Sequence, residues 1–253
     1  MPERWPRVVH DAVTAVLFLT RIPIPWHVPD VEARLGRSTP WFPLVGVIVG
    51  GAGALAWWVG AALANPLIGA VAAVAATALL TGAFHEDGLA DTFDGLGGSP
   101  ERETALAIMK DSRLGTYGAM ALSLVLLGRV CALVSLGGHA PAALLGAHAL
   151  ARFSSLPAIR WLPYARADGG TGKPFAGGVS GAGLAVAALF TAALTLLLWR
   201  GSAPVAWLGA AAVGGLLAMW FRRRLGGITG DTLGAVNQLC ELACYLALLG
   251  VGA

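Results

Sequence analysis

The residues best suited to chemistry lie in one polar stretch, His85-Glu86-Asp87-Gly88-Leu89-Ala90-Asp91-Thr92-Phe93-Asp94-Gly95, flanked by almost wholly apolar segments. If this stretch is helical, Asp87, Asp91 and Asp94 stand at i, i+4 and i+7. A turn of ~100° per residue then puts all three on one narrow face and points Glu86 elsewhere. Three carboxylates on one face repel one another, and no Lys or Arg occurs between Arg37 and Arg102 to neutralise them locally. A divalent cation relieves that repulsion. Oxygen ligands suit Mg²⁺, Mn²⁺ or Ca²⁺, and Mg²⁺ usually takes one or two carboxylates and fills its shell with phosphate oxygens and water. The pattern therefore points to phosphoryl chemistry, with Gly88 and Gly95 leaving room for a phosphate near the backbone. The competing reading is a solvated acidic turn between two membrane helices.

Three further segments can supply charge to the same chemistry. Ser99-Pro100-Glu101 reads as a helix start, with Ser as N-cap and Pro at the first helical position, and the helix is expected to run to about Ser112. It would deliver Lys110, Asp111 and Arg113 just before Gly115, to hold phosphates and a second metal or simply to form a basic membrane-edge cluster. Tyr164 to Pro174 is glycine-rich and cationic through Arg166 and Lys173, so it can wrap an anionic ligand or serve as a flexible connection. It is not a Walker loop, because Ala167 and Pro174 stand where glycine and Ser or Thr belong. Gly226 to Gly234 opens the last apolar segment with backbone N–H groups that form an anion site, and Asp231 there is either a ligand or an N-cap, followed by Thr232. Ionisable residues inside apolar segments are costly. Arg129 and Arg152 can each reach an interface or pair with Glu241; Arg152 and Glu241 are expected in the interior, with His148 one turn from Arg152, whereas Arg129 is more simply a residue reaching an interface.

The elements that position these groups follow from composition. With 57% hydrophobic and 12% charged residues in 253, against about 25% charged in soluble domains, the chain is an integral membrane protein. A hydrocarbon core of ~30 Å needs about 20 apolar residues per helix. Spans are expected at roughly 41–63, 67–84, 116–136, 141–162, 181–199, 203–221 and 232–250. The fold class is thus an all-α polytopic membrane protein, one integral domain over 1–253, of about seven transmembrane helices with an N-terminal interfacial helix (Pro6 to Thr20) and a short cytoplasmic helix. The N-terminal run lacks a small-residue cleavage site and is expected to stay on the protein. Cys131, Cys240 and Cys244 show no metal-ligand spacing. Gly46-Val47-Ile48-Val49-Gly50 fits close helix packing. Placing the N-terminus inside puts every Lys and Arg except Arg129, Arg152 and Arg200 on the inner side, and every Asp and Glu except Glu241. The expected topology is N-in, C-out, with the polar motifs converging on the cytoplasmic face.

These residues carry a resemblance. Phe84 to Gly95, then Ile108-Met109-Lys110-Asp111-Ser112-Arg113-Leu114-Gly115-Thr116, then Thr229-Gly230-Asp231-Thr232-Leu233-Gly234-Ala235 look like the cobalamin synthase family. Phe18-Leu19-Thr20-Arg21-Ile22-Pro23-Ile24-Pro25 and Phe42-Pro43-Leu44-Val45-Gly46 resemble it too, so the likeness covers nearly the whole chain. It implies a Mg²⁺-dependent transferase of the bacterial inner membrane. That enzyme joins adenosylcobinamide-GDP to α-ribazole or its 5′-phosphate, releases GMP and forms the cobalamin in a late step of its biosynthesis. Under that resemblance Asp87, Asp91, Asp94 and Asp231 are metal ligands, and His85 or Asp111 is the general base unless a metal-bound carboxylate does that work. Lys110, Arg113, Arg152, Arg166, Lys173, Thr232 and Glu241 bind substrate, and Glu86 supports them from behind. The expected partners are these small molecules and membrane lipid, without nucleic acid, and an oligomer is compatible with them.

Two rivals belong to other classes. A membrane CDP-alcohol phosphotransferase also uses clustered aspartates and divalent metal, but Asp91 follows Ala90 where its pattern has arginine. A cation transporter would line an ion path with Glu241 and the carboxylates, yet no internal repeat is evident.

Overall fold

The computed structural model describes residues 6–25, 28–166 and 178–252. The helices are α1 (Arg7–Leu19), α2 (Val31–Ser38), α3 (Phe42–Leu63), α4 (Pro66–Thr81), α5 (Phe84–Gly98), α6 (Arg102–Ile108), α7 (Thr116–Leu136), α8 (Ala140–Trp161), α9 (Gly181–Trp199), α10 (Ala203–Leu225) and α11 (Gly230–Gly250). The fold is all-α. The described residues form no strand, only an isolated bridge between Tyr164 and Ile228.

Each segment expected to span a membrane is occupied by one helix. Four helical stretches are long and apolar enough to cross one, Val31–Leu63, Thr116–Trp161, Gly181–Leu225 and Gly230–Gly250, and Pro66–Thr81 with Phe84–Gly98 makes a fifth if taken together. Gly137 (φ 52°) and Arg200 (φ 49°) leave helical geometry and divide the two longest stretches into α7 with α8 and α9 with α10. The protein is a membrane protein whose helices bury small residues against one another. Gly46 and Gly50 show why. A Cβ at either would stand 2.4 Å from the carbonyl oxygen of His148 or 2.5 Å from that of Leu144, so α3 lies backbone to backbone on α8.

Three local outcomes differ from expectation. The second apolar helix ends at Thr81 rather than near 84, because Gly82 and Ala83 adopt φ of 67° and 56° and turn the chain by 90° into α5. α6 is shorter than expected. The Ser99 hydroxyl accepts from the Glu101 amide at 3.1 Å, closing a turn two residues long ahead of the helix, so Glu101 is the N-cap. Its far end closes with tight bonds from Lys110 N to Ala107 O (3.1 Å) and Asp111 N to Ile108 O (3.0 Å). Lastly, α2 forms in what reads as a Pro-rich connection. Buried Leu35 anchors it, and Arg34 ties it to Asp11 of α1 at 3.1 Å.

Candidate functional site

The 90° turn at Gly82 and Ala83 carries α5 away from the direction of α4 and lays it across the N-terminal turns of α7 and α11. Two glycines set how close it comes. A Cβ on Gly88 would stand 2.8 Å from the carbonyl oxygen of Asp231, and one on Gly234 would stand 3.1 Å from that of His85. Backbone contact between α5 and α11 thereby brings Asp231 beside Asp87 and Asp91, more than a hundred residues earlier in the chain. Asp231 is not the N-cap. Thr229 is, in a reciprocal box with Thr232: the Thr229 hydroxyl accepts from Thr232 N at 3.2 Å, and the Thr232 hydroxyl accepts from Thr229 N at 2.8 Å. Thr232 is fully buried in that role. The cap leaves the Asp231 side chain in the first helical turn, where it accepts from Arg166 at 2.7 Å and from the Thr229 hydroxyl at 3.3 Å.

The three aspartates of the α5 face divide by environment. Asp87 is exposed and Asp91 half-buried. Asp94 is buried, and its two oxygens accept from the backbone amides of Gly115 (2.7 Å) and Gly118 (2.8 Å). It holds the start of α7 as a carboxylate at a helix N-terminus. The expected ligand Asp94 is therefore first of all a cap, because each of its oxygens already carries an amide. Asp91 feels its surroundings most. Burial, then the charges of Asp87 and Asp231, push its pKa up to about 7, with Arg166 pulling against them. α5 lies beyond the segment expected to span at 67–84, after the 90° turn that ends α4.

An all-oxygen donor set carrying unrelieved negative charge suits a hard divalent ion. Among the described residues, no group of three or more His, Cys, Asp or Glu is already gathered at metal-ligand spacing. Asp87, Asp91 and Asp231 thus fit a hard cation by chemistry and proximity while standing apart from a common centre.

A cationic cleft adjoins this site through Arg166. Arg102, Lys110 and Arg166 line an open cleft with Glu103 and Ala165. Arg102, whose place in the chain carries no local signal of a role, fixes the rim: its Nε donates to Leu225 O at 2.7 Å, and an Nη donates to Ala165 O at 2.5 Å. Ala165 N in turn donates to Ile228 O at 2.8 Å, so the loop bearing Arg166 is stitched to the loop before Asp231. Asp111 and Arg113 lie outside this cleft as an exposed ion pair, and the Arg113 hydrogen bonds lower the Asp111 pKa below the usual carboxylate range. Lys173 lies outside the described residues.

A second polar group sits deeper, and here the expectation for Arg129 is corrected. Arg129 is 0% exposed. It reaches Glu241 at 2.7 Å, Gln238 at 2.8 Å, and Glu86 and Thr77 at 3.3 Å. Glu241 also accepts from Tyr245 at 2.9 Å and lies 3.3 Å from His148 Nδ1, so it is a buried structural partner of Arg129 with no exposed surface for substrate. Gln238 and Tyr245, at i−3 and i+4 from Glu241, were legible by helical spacing alone. Arg152 is buried too, but its Nη bonds His148, at O (3.1 Å) and Nδ1 (3.2 Å). His85 faces inward with Arg152, where burial and then the Arg152 and Arg129 charges hold its pKa well below the ordinary histidine value.

Residues 11–249 match the family model of cobalamin-5-phosphate synthase. The chain is 47% identical over 256 residues to the adenosylcobinamide-GDP ribazoletransferase of Leptothrix cholodnii, covering 96% of this chain and 97% of the relative. It is 45% identical over 253 residues to the protein of that name from Rhizobium etli, covering 94% and 95%. It is 43% identical over 258 residues to that from Shewanella piezotolerans, covering 99% of both. No solved structure matches the chain.

Proposed function

From the premise that the chain belongs to the cobalamin-5-phosphate synthase family, we propose that it transfers the adenosylcobinamide-phosphate group of adenosylcobinamide-GDP to α-ribazole or its 5′-phosphate. GMP is released, and the reaction is Mg²⁺-dependent. The chain is a transferase of cobalamin biosynthesis. The observation that supports the finer reading is the contact of α5 with α11, which gathers Asp87, Asp91 and Asp231 beside Arg166.

The ribose hydroxyl oxygen of the acceptor attacks the phosphorus attached to the cobinamide. The bond from that phosphorus to the bridging oxygen breaks, and GMP leaves with the electron pair. Arg166, with Arg102 and Lys110 along the cleft, receives the phosphate oxygens and holds them for in-line displacement. The hydroxyl proton passes to a carboxylate of the aspartate group, since Asp111 is tied to Arg113 and His85 faces the interior. Asp87, Asp91 and Asp231 would hold the Mg²⁺, which supplies neutralisation of the pyrophosphate and of the departing GMP.

The chain forms a single domain in the bacterial inner membrane, N-in and C-out with seven spans, and the site faces the cytoplasm. Arg222, Arg223 and Arg224 in the last turn of α10 and the cationic cleft share that end, as the positive-inside rule requires. The test is a chromatographic assay of detergent-solubilised protein with adenosylcobinamide-GDP, α-ribazole and Mg²⁺. Equimolar GMP and corrinoid product, both lost with EDTA, are expected. No product from folded protein overturns the transferase reading, and turnover indifferent to EDTA overturns the metal assignment.

A further inference from the structure

Helices α8 and α10 end side by side: Pro163 O, just beyond α8, accepts from Ile228 N, just beyond α10, at 2.9 Å. Along their length they do not close on each other. A groove of ≈ 360 Å³ runs between them, lined from Leu150 to Leu162 on one side and from Trp207 to Ala218 on the other. At 1.5 Å per residue each wall is about 17 Å long, close to half of a hydrocarbon core of ~30 Å. Away from the helix ends the two walls touch through Phe153 and Trp207, whose ring centroids lie 5.1 Å apart. The Ser154 hydroxyl is bonded to Leu150 O at 2.8 Å and the Trp207 indole N–H to the Thr195 hydroxyl at 2.9 Å, so the inner walls are apolar. The backbone of α10 is bare at Gly214 and Gly215. A Cβ on Gly214 would meet Cys240 Sγ at 3.6 Å, an ordinary contact, and one on Gly215 would meet nothing within 4 Å. Packing within the chain therefore requires neither glycine, in contrast to Gly46 and Gly50, where a Cβ would strike the next helix.

The open end of the groove is cationic. Arg222 follows Ala218 by four residues and so continues the same face of α10 one turn on, with Arg223 beside it. Arg224 is occupied, donating to Ser99 O at 2.6 Å and to Leu96 O at 3.3 Å. Arg222 and Arg223 are exposed, and among the described residues their side chains have no ion-pair or hydrogen-bond partner. Trp161, 67% exposed, stands at the same end, and indole rings settle at the level of lipid headgroups. We propose that the groove seats one acyl chain of an anionic glycerophospholipid whose phosphate lies against Arg222 and Arg223. An apolar slot half a bilayer deep with unpaired cations at its mouth complements that amphiphile at both ends. A second copy of the chain is the poorer occupant. In a twofold pair the same patch meets itself, so Arg222 and Arg223 would face their own counterparts, and like charges repel. The site is independent of the transfer reaction and requires only that these helices sit in a bilayer.

Native mass spectrometry tests the assignment on the full chain in detergent, incubated with phosphatidylglycerol or with phosphatidylcholine of the same acyl chains. One phosphatidylglycerol per chain is expected to be retained about tenfold more tightly than phosphatidylcholine, because each cation near an anionic lipid contributes roughly a fivefold effect. Arg222→Gln combined with Arg223→Gln is expected to remove that preference without touching the packing. Ala211→Leu and Gly215→Leu, at exposed positions on the α10 wall, fill the groove. Each is expected to weaken phosphatidylglycerol about tenfold while the protein keeps its melting transition, and either serves where the other does not fold. Equal retention of the two lipids by the wild type overturns the assignment, as does a folded groove-filling variant that holds phosphatidylglycerol as the wild type does. A lipid-free dimer that Gly215→Leu dissociates also overturns it and gives the groove to a second copy. The readout is binding alone, so a failure of the transferase reading leaves it unaffected.

Discussion

Helices α5 and α11 each carry acidic residues of two kinds, and the protein treats them in opposite ways. Glu86 and Glu241 point into the bundle, where Arg129 meets both and Gln238 and Tyr245 complete the set. Asp87, Asp91 and Asp231 stand at the end of the bundle with Arg166 as the cation bonded to Asp231 and with Asp91 pushed up to about 7 by burial and by the other two carboxylates. Among apolar helices no water is at hand to solvate a charge, so an acid there persists only with partners built in. At the end of the bundle an unbalanced negative charge is tolerable, and it favours an incoming cation. Glu86 and Asp87 are neighbours in sequence, so residue type does not separate structure from function here; the partner does.

That contrast can be broken or sharpened experimentally. The largest effect is expected from Asp91→Asn, which should cut transfer by on the order of 10³-fold while the protein stays folded and inserted; unchanged turnover would remove Asp91 from the site. Arg129→Gln should do the reverse, stranding Glu241 and costing about 3–5 kcal/mol of stability in thermal unfolding, much of it regained when Glu241 is also replaced by Gln. A fully stable Arg129→Gln protein would mean that the buried group is not held by pairing. Gly88→Ala must push α5 from α11 because its Cβ meets the Asp231 carbonyl at 2.8 Å. Overpacking of about 1–3 kcal/mol and roughly tenfold lower turnover are expected.

Asp94→Asn separates cap from ligand. As a cap its loss costs about 1 kcal/mol in unfolding and little in turnover, whereas an activity loss matching that of Asp91→Asn would restore Asp94 to the metal. The smallest effect is a pH slope. Because the Asp91 pKa is raised in the folded protein, the fold binds the extra proton between the ordinary carboxylate value and about 7. Metal-free stability should therefore fall gently as pH rises through that window and level off above it, and Asp91→Asn should flatten the slope.

The sequence by itself determined the fold class and the acidic face of one helix. An apolar chain with one run of aspartates at helical spacing reads as a membrane bundle with an acidic face, and each expected segment holds one helix within a few residues of its expected bounds. A close helix approach was legible in Gly46 and Gly50, because a missing side chain announces a close neighbour, while only the packing shows that the neighbour is α8. Pairings were not legible. Nothing local assigns Arg129 rather than Arg152 to Glu241, makes Asp94 the cap of a helix that begins at Thr116, or sets Thr229 instead of Asp231 at the start of α11. These are contacts between residues distant in the chain, or choices among neighbouring residues each chemically able to do the work. The 90° turn at Gly82 and Ala83 decided the Asp94 cap by laying α5 across the start of α7, and the packing of α7 on α11 decided the partner of Glu241. Periodicity states which face a residue shares; only the packing of one helix on another states what that face meets.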